Sequence, residues 1–193
     1  MERLMDAIRA HFCVADDAEI TLESNPGTLD FEKLAGYRRA GINRLSMGLQ
    51  SACDKELAML GRIHNFDTFV QNYKQARRAG FENINVDLMS ALPGQTVESW
   101  EQTLMKAAEL APEHLSAYSL IIEEGTPFWS WYGEDANQTL RPKEMLPLPS
   151  EEDERRMYAR TREILEQYGY HRYEISNYAK DGYACRHNIG YWN

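Results

Sequence analysis

The chain has 193 residues, of which 43% are hydrophobic and 26% charged, a composition typical of a folded globular protein that excludes wholesale disorder. Its 30 acidic and 21 basic residues give a net charge of -9, which disfavours nucleic acids and anionic membranes as partners. No stretch approaches the roughly 18 uncharged apolar residues of a membrane span, and acidic residues stand near the N-terminus where a signal peptide carries bases.

The cysteines are odd in number and lie far apart in the sequence, at Cys13, Cys53 and Cys185. No C-x-x-C pair occurs, so these residues encode neither a structural zinc site nor an iron–sulfur loop. We therefore expect reduced thiols and a cytoplasmic location.

Strand and helix patterns alternate along the chain after a first helix predicted over residues 3–12. Short apolar runs predict strands at residues 19–23, 44–50, 83–89 and 114–122. Amphipathic periodicity, N-cap residues and terminal glycines predict intervening helices at about 30–40, 54–60, 66–79 and 97–111. The aromatic segment Phe128–Tyr132 is expected to form a helical turn.

The C-terminal third follows a different pattern. Residues 134–149 lack periodicity and are rich in proline, which predicts a linker or long loop. Ser150 and Asp153 resemble a capping box that opens a helix ending at Gly169, and a short strand is predicted at Tyr173–Ile175. The predicted domain organisation is a partial barrel over 1–133, the loop over 134–149 and the start of a C-terminal region over 150–193.

Alternating strands and helices of this length predict βαβ units and a parallel sheet. No G-x-G-x-x-G follows a predicted strand, which argues against a dinucleotide-binding doubly wound sheet. A closed eightfold barrel needs roughly 250 residues, more than this chain has. We therefore predict an α/β fold, an incomplete (β/α) barrel with an open sheet edge, followed by a C-terminal helix and short strand.

Polar side chains stand at the carboxyl ends of the predicted strands, where parallel barrels carry their functional groups. Glu23 ends the first strand, Gln50 ends the second, and Asp87 interrupts the apolar third strand, while Arg62 follows a short helix. If they converge, these groups suit a zwitterionic ligand. Two alternatives stay open: Arg62 forms an internal ion pair with Asp87 or Glu23, or the two carboxylates act as acid and base of a hydrolase.

Several segments together resemble one enzyme family in their order and spacing: residues 20–28 (ITLESNPGT), 43–51 (NRLSMGLQS), 60–64 (LGRIH), 83–89 (NINVDLM), 92–96 (LPGQT) and 115–120 (LSAYSL). The family is the radical S-adenosylmethionine (SAM) enzymes of the oxygen-independent coproporphyrinogen III oxidase type. The resemblance implies part of a radical SAM partial TIM barrel that binds SAM and a [4Fe–4S] cluster. It implies SAM contacts at Glu23, Gln50, Arg62 and Asp87, with Ile121 as a further contact position in the sixth strand.

The family's cluster loop, C-x-x-x-C-x-x-C, lies upstream of the matched region and does not occur in this chain. None of the three cysteines matches a cluster ligand, so we predict no metal ligand for the [4Fe–4S] cluster within these residues. We expect a fragment of a longer protein that, alone, is inactive in the radical chemistry that SAM supplies in this family.

The tail sequence H-N-x-x-Y-W places His187 beside Tyr191 and Trp192. Haem needs an axial nitrogen and a flat apolar wall, although a lone histidine in a tail usually serves neither purpose. The tail and residues 173–179 resemble the haem-chaperone (HemW-type) branch of the family, which implies that His187 is a haem ligand with both aromatic residues beside it. We predict that the aromatic segment Phe128–Tyr132 is a hydrophobic plug, not a porphyrin pocket, and that His64 and His114 are ordinary polar residues.

The resemblance therefore implies a protein that binds haem and passes it to acceptor proteins. Its cofactors would be SAM, haem and, in the full-length protein, a [4Fe–4S] cluster. Two alternatives remain: an oxygen-independent coproporphyrinogen III oxidase of porphyrin biosynthesis, and an inactive structural fragment. The expected partners are haem or porphyrin and a haem-acceptor protein, with no nucleic acid, and weak membrane association only through an acceptor.

Overall fold

The computed structural model describes residues 1–134, 136, 139 and 141–192. In this part of the chain the strands are β1 (Thr21–Ser24), β2 (Arg44–Gln50), β3 (Ile84–Ser90), β4 (His114–Ser119), β5 (His171–Arg172) and β6 (Asn177–Ala179). The helices are α1 (Glu2–His11), α2 (Phe31–Ala40), α3 (Asp54–Met59), α4 (Phe66–Arg78), α5 (Val97–Glu109), α6 (Pro127–Tyr132), α7 (Glu151–Gln167) and α8 (Arg186–Ile189). Residues 135, 137, 138 and 140 of the predicted loop and residue 193 of the tail lie outside the described residues.

The strands form one sheet in the order β1-β2-β3-β4-β6-β5. The first four strands are parallel, and β6 then pairs antiparallel with both β4 and β5. The helices between the parallel strands make βαβ crossovers, so the predicted incomplete (β/α) barrel is confirmed. None of the helices in the described ranges is long and apolar enough to cross a membrane.

Local sequence signals set the helix ends. The side chains of Asp30, Asn65, Thr96 and Ser150 each accept a hydrogen bond from a backbone N–H in the first turn of α2, α4, α5 and α7. Gly41 ends α2 in the left-handed region at φ 101°, a conformation that glycine adopts without the steric cost of a Cβ. These elements therefore begin and end within a residue or two of their predicted bounds.

The two faces of the sheet differ in polarity because side chains alternate along each strand. The apolar side chains of β2, β3 and β4, such as Met47, Val86 and Leu115, are fully buried and share one core with helix residues such as Phe69 and Trp100. The polar side chains of the same strands point to the opposite face. That face is the inner surface of the partial barrel, and it carries the candidate site.

The segment after residue 150 packs on the same core. Met157, Ile164 and Leu165 of α7 are buried, and Trp100 Nε1 of α5 donates a hydrogen bond of 2.9 Å to Thr161 Oγ1. Tyr170 is also fully buried and donates from its hydroxyl to the Pro112 carbonyl. This packing, together with β5 and β6, fixes the tail against the parallel strands.

Two predicted strands differ from the observed ones. The strand predicted at Tyr173–Ile175 is instead a bend between β5 and β6, because the Glu174 carboxylate accepts hydrogen bonds from the Ser176 N–H and the Asn177 amide and so closes a turn. β4 ends at Ser119 rather than at residue 122. Its neighbour β3 ends at Ser90, so the residues beyond have no ladder partner there.

Candidate functional site

The carboxyl ends of β1, β2 and β3 open into one cavity of about 500 Å³. Glu23, Gln50 and Asp87 line it together with Ser24, Asn25, Gly48 and Tyr118. Gln50 adopts a left-handed backbone at φ 69°, unusual for a residue with a side chain, and its Oε1 accepts from the Tyr118 hydroxyl at 3.1 Å. Three of the five predicted SAM contact positions therefore share one cavity.

Arg62 reaches the same region indirectly. Its Nη1 donates to Asn25 Oδ1 at 3.1 Å, and Asn25 lines the cavity. Within the described residues, no carboxylate oxygen lies within 4.0 Å of an Arg62 nitrogen. The alternative hypothesis of an internal ion pair between Arg62 and Asp87 or Glu23 is therefore wrong. The guanidinium stands beside a carboxylate-lined cavity without being neutralised by it.

Asp87 is half-buried on the inner face of β3. Its Oδ2 accepts from Ser46 Oγ at 2.9 Å and its Oδ1 accepts from Asn85 Nδ2 at 2.7 Å. Burial raises the pKa of this carboxyl, and the nearby Glu23 carboxylate adds to the increase, while the hydrogen bonds oppose it. A cationic ligand in the cavity would favour the ionised form.

Ile121 is not part of this cavity. It lies two residues beyond the end of β4, and its side chain is 77% exposed. The predicted position within a strand is wrong, because the ladder with β3 ends at Ser119. Its contact with SAM stays a prediction.

A second cavity of about 740 Å³ lies between the inner face of the sheet and the tail. It is lined by polar residues of four strands and of the tail, namely Glu19, Thr21, Glu23, Arg44, Ser46, Asn85, Asp87, Ser116 and Cys185 to Asn188. Glu23 and Asp87 line both cavities. The predicted SAM residues and the predicted haem ligand His187 therefore face adjoining spaces.

The tail is held at the amino end of β1. The Glu19 carboxylate accepts from Cys185 Sγ at 3.4 Å and from the Arg186 N–H at 3.1 Å, and Arg186 Nη1 pairs with Asp17. His187 is exposed, and its ring packs edge-on against Tyr191 at 5.1 Å. Within the described residues His187 has no hydrogen-bond partner, so its imidazole is available as a ligand.

Tyr191 and Trp192 are 76% and 62% exposed. Trp192 lines a further cavity of about 630 Å³ with Ile175 and Ile189, on the other side of the tail. The aromatic surface beside His187 is thus present, although most of it faces solvent.

A chain of hydrogen bonds joins Asp87 to the tail through His114, which is fully buried. His114 Nδ1 lies 2.6 Å from Asn85 Oδ1, and its Nε2 lies 2.8 Å from the Tyr173 hydroxyl. Since the Asn85 oxygen can only accept, Nδ1 carries the proton and Nε2 accepts from Tyr173. The Tyr173 oxygen in turn accepts from Asn188 Nδ2 at 3.2 Å, and Asn85 Nδ2 donates to Asp87 Oδ1 at the other end of the chain. Every hydrogen bond in this chain therefore has its donor on the tail side and its acceptor on the Asp87 side.

The expectation that His114 is an ordinary polar residue is therefore wrong. The overlooked signal was the strict alternation of polar and apolar residues in β2, β3 and β4, which places Arg44, Ser46, Asn85, His114 and Ser116 on one face. Burial, aided by the nearby Arg44 guanidinium, lowers the pKa of His114 to about 3. The ring is neutral in the folded protein.

We expect this buried histidine to make stability depend on pH. Because its pKa is about 3 in the folded chain and about 6.5 in the unfolded chain, its contribution is complete above pH 6.5 and is lost as the pH falls toward 3. Between pH 7 and pH 5 the free energy of unfolding should fall by about 2 kcal/mol from this group. Urea unfolding of wild type and His114→Gln at pH 7 and pH 5 measures this change, with the exposed His11→Gln as control. The same fall in the free energy of unfolding for all three proteins would contradict the prediction.

Glu56 of α3 is a buried group that the sequence analysis did not single out. Its side chain is 4% exposed, and it accepts hydrogen bonds from Ser51 Oγ at 2.5 Å, from Gln95 Nε2 at 2.9 Å and from Ser99 Oγ. Ser51 directly follows β2, whereas Gln95 and Ser99 follow β3. One carboxylate therefore ties together the segments that leave two site-bearing strands.

The three cysteines lie in different environments and are widely separated in the sequence. Cys13 is exposed, Cys53 is half-buried before α3, and Cys185 is buried beside Glu19. Among the residues with described positions, no group of three His, Cys, Asp or Glu side chains could hold a metal ion. The residues of this chain do not fit a [4Fe–4S] cluster.

The aromatic segment forms α6, a single helical turn capped by Thr126, as predicted. Its four aromatic side chains are only half-buried, and Phe128 packs against Trp131 and Tyr132 within the segment. Its role as a hydrophobic plug on the barrel stays a prediction.

Comparison with known proteins agrees with the fold. Residues 2–107 match the Radical SAM superfamily, and the chain belongs to that superfamily. It is 41% identical over 192 residues to the heme chaperone HemW of Escherichia coli, covering all of this chain and 47% of that protein. It is 40% identical over 194 residues to HemW of Bacillus subtilis, covering all of this chain and 49% of that protein. The chain thus spans about half the length of the curated relatives it matches.

Among solved structures, the chain resembles coproporphyrinogen III oxidase (HemN) of Escherichia coli, described as a radical SAM enzyme. The TM-score is 0.77 at 29% identity, covering 93% of this chain and 39% of that one. The archaeal Elp3 of Methanocaldococcus infernus matches with a TM-score of 0.62 at 16% identity, over 75% of this chain and 32% of that one, which shows a shared fold alone.

Proposed function

We propose that this chain is the haem- and SAM-binding part of a haem chaperone, which holds haem through His187 and passes it to acceptor proteins. Support comes from the similarity to HemW over the whole chain and from the tail geometry. The observation that carries the proposal is the exposed His187 ring, which lines a cavity, packs on Tyr191 and has no hydrogen-bond partner among the described residues. The free cysteines suit a reducing compartment, so we place this function in the cytoplasm.

The residues present fit both small molecules. An unshared imidazole beside an exposed aromatic surface suits one axial position of haem. The carboxylates of Glu23 and Asp87 suit the ammonium or ribose hydroxyls of SAM, and the un-neutralised Arg62 suits its carboxylate. SAM supplies a sulfonium that can be cleaved reductively. Because the cysteines do not fit a cluster, we propose no radical step for the residues of this chain.

Haemin titration tests the assignment of the iron ligand. We expect wild type to give a shifted Soret band and His187→Ala to lose that shift, because the variant removes the imidazole and leaves the cavity intact. His171→Ala is the matched control, since His171 is also exposed, in β5, and its Nε2 lies 3.8 Å from Asp181 Oδ1. A Soret band that is identical in wild type and His187→Ala would exclude His187 as the ligand.

The structural similarity to HemN favours a second candidate, an oxygen-independent coproporphyrinogen III oxidase in which these residues are the SAM-binding part. Conversion of coproporphyrinogen III to protoporphyrinogen IX, assayed anaerobically with SAM and a reductant, distinguishes the two. Haem transfer to an apo-acceptor without this conversion supports the chaperone.

A further inference from the structure

Arg44, the first residue of β2, is a buried cation. Its side chain is 4% exposed and lines the cavity beside His187. Its Nε is shielded from solvent and makes no hydrogen bond. Within the described part of the chain, Arg44 has neither a hydrogen-bond partner nor a carboxylate oxygen within 4.0 Å of its nitrogens.

This arrangement costs free energy in the ligand-free protein, because a buried charge is stable only when it is paired and hydrogen-bonded. The carboxylates that line the same cavity do not supply the pair. Glu19 accepts from Cys185 and Arg186, and Asp87 accepts from Ser46 and Asn85. An arginine presents a planar fork that matches a carboxylate, so the missing partner is expected to be an anion that enters the cavity.

The position of Arg44 indicates which anion. Arg44 and Gln50 stand at opposite ends of β2, six residues and about 20 Å apart. Arg44 therefore lies far from Gln50, although its cavity and the carboxyl-end cavity assigned to SAM share Glu23 and Asp87. It lies near the buried His114 and the tail residue Cys185. Burial lowers the pKa of His114 and raises the pKa of Cys185, and the charge of Arg44 acts to lower both pKa values. The ligand group that reaches it must belong to a molecule held beside the tail.

We propose that Arg44 binds a propionate carboxylate of the porphyrin whose iron His187 ligates. The inference rests on the proposed function, and it extends that function from one axial ligand to a second, buried anchor on the other side of the cavity. A carboxylate in this place would pair the guanidinium and remove the cost of its burial.

An iron-free porphyrin tests the contact without any contribution from His187. We expect Arg44→Met to weaken the binding of protoporphyrin IX by roughly 10- to 100-fold and to change the binding of its dimethyl ester by less than about 2-fold. The matched control is Arg186→Met, because Arg186 lines the same cavity but is already paired with Asp17. It should leave the affinity for both porphyrins unchanged. Fluorescence quenching gives the dissociation constants.

The stability of the ligand-free protein separates binding from a structural role. Removing an unpaired buried charge should leave the melting temperature of Arg44→Met unchanged or raise it, by about 2–4 °C. The proposal would be overturned if Arg44→Met had a lower melting temperature and lost equal affinity for protoporphyrin IX and for its dimethyl ester. Arg44→Lys is the alternative variant if Arg44→Met fails to fold. It keeps the positive charge but lacks the two parallel N–H donors of a guanidinium, so it should still weaken the binding of protoporphyrin IX and not that of the ester.

The remaining outcomes distinguish this proposal from the proposed function. Unchanged protoporphyrin IX affinity in Arg44→Met, or a loss of SAM affinity measured by calorimetry, overturns the propionate contact alone. In a further outcome, Arg44→Met weakens the binding of protoporphyrin IX but not of its dimethyl ester, while His187→Ala leaves the haemin Soret band unchanged. This outcome overturns His187 as the iron ligand and supports the contact between Arg44 and the propionate. Failure of wild type to bind either porphyrin overturns both.

Discussion

Replacing Glu56 with alanine is expected to lower the free energy of unfolding by about 3–5 kcal/mol. The substitution removes the carboxylate that accepts from Ser51, Gln95 and Ser99, and Ser51 and Gln95 are themselves buried. Each unsatisfied buried donor costs about 1–3 kcal/mol, and the lost packing adds to it. Chemical denaturation followed by circular dichroism measures the change.

Two variants sharpen this experiment. Glu56→Gln keeps one acceptor oxygen and the volume, so its loss should be less than half that of alanine. Glu109→Ala changes an exposed glutamate at the end of α5 and should stay within about 0.5 kcal/mol of wild type. A Glu56→Ala protein as stable as Glu109→Ala would mean that the carboxylate does not hold the two segments together.

The same carboxylate bears on the site because Ser51 adjoins Gln50, whose left-handed backbone aims its side chain at Tyr118. Freeing Ser51 removes a hydrogen bond that fixes the chain just after β2. Glu56 therefore acts as a positioning residue, because it joins the segment after β2 to the segment after β3.

The sequence predicted the parallel part of the fold closely because its signals are local. The strand predicted at residues 44–50 is observed at Arg44–Gln50, and Ser150 caps α7 as predicted. β5 and β6 were not predicted, because strands of two and three residues carry no periodicity of their own. They exist because β6 pairs with β4, more than 50 residues away in sequence.

The site was predicted only where polar residues interrupt an apolar pattern. Glu23 and Gln50 stand at or next to strand ends, Asp87 interrupts apolar β3, and parallel topology brings these positions to one cavity. Arg44 and Glu56 could not be recognised in this way, because an arginine at a strand start and a glutamate in a short helix are usually solvated. Their burial depends on segments that fold over them from elsewhere in the chain.

Replacing Asp87 with asparagine is expected to weaken SAM binding by roughly 30- to 1,000-fold while leaving the ligand-free protein at least as stable as wild type. The isosteric amide can still accept from Asn85 and can donate to Ser46, so the local hydrogen bonds survive. It cannot pair with a cationic ligand. Calorimetry with SAM measures the affinity, and the exposed Asp67→Asn is the control.

The pH dependence of this affinity reports whether Asp87 contributes through its charge. Burial raises the pKa of Asp87, so the ionised form that would pair with a cation is lost at a higher pH than for an ordinary aspartate. As the pH is lowered, the SAM affinity of wild type should therefore fall more steeply than that of Asp87→Asn, because the variant has no carboxyl group at position 87. The raised pKa also means that ionised Asp87 weakens the ligand-free fold at neutral pH, and the amide removes that cost. A variant that keeps wild-type affinity at every pH would show that Asp87 serves the fold and not the ligand.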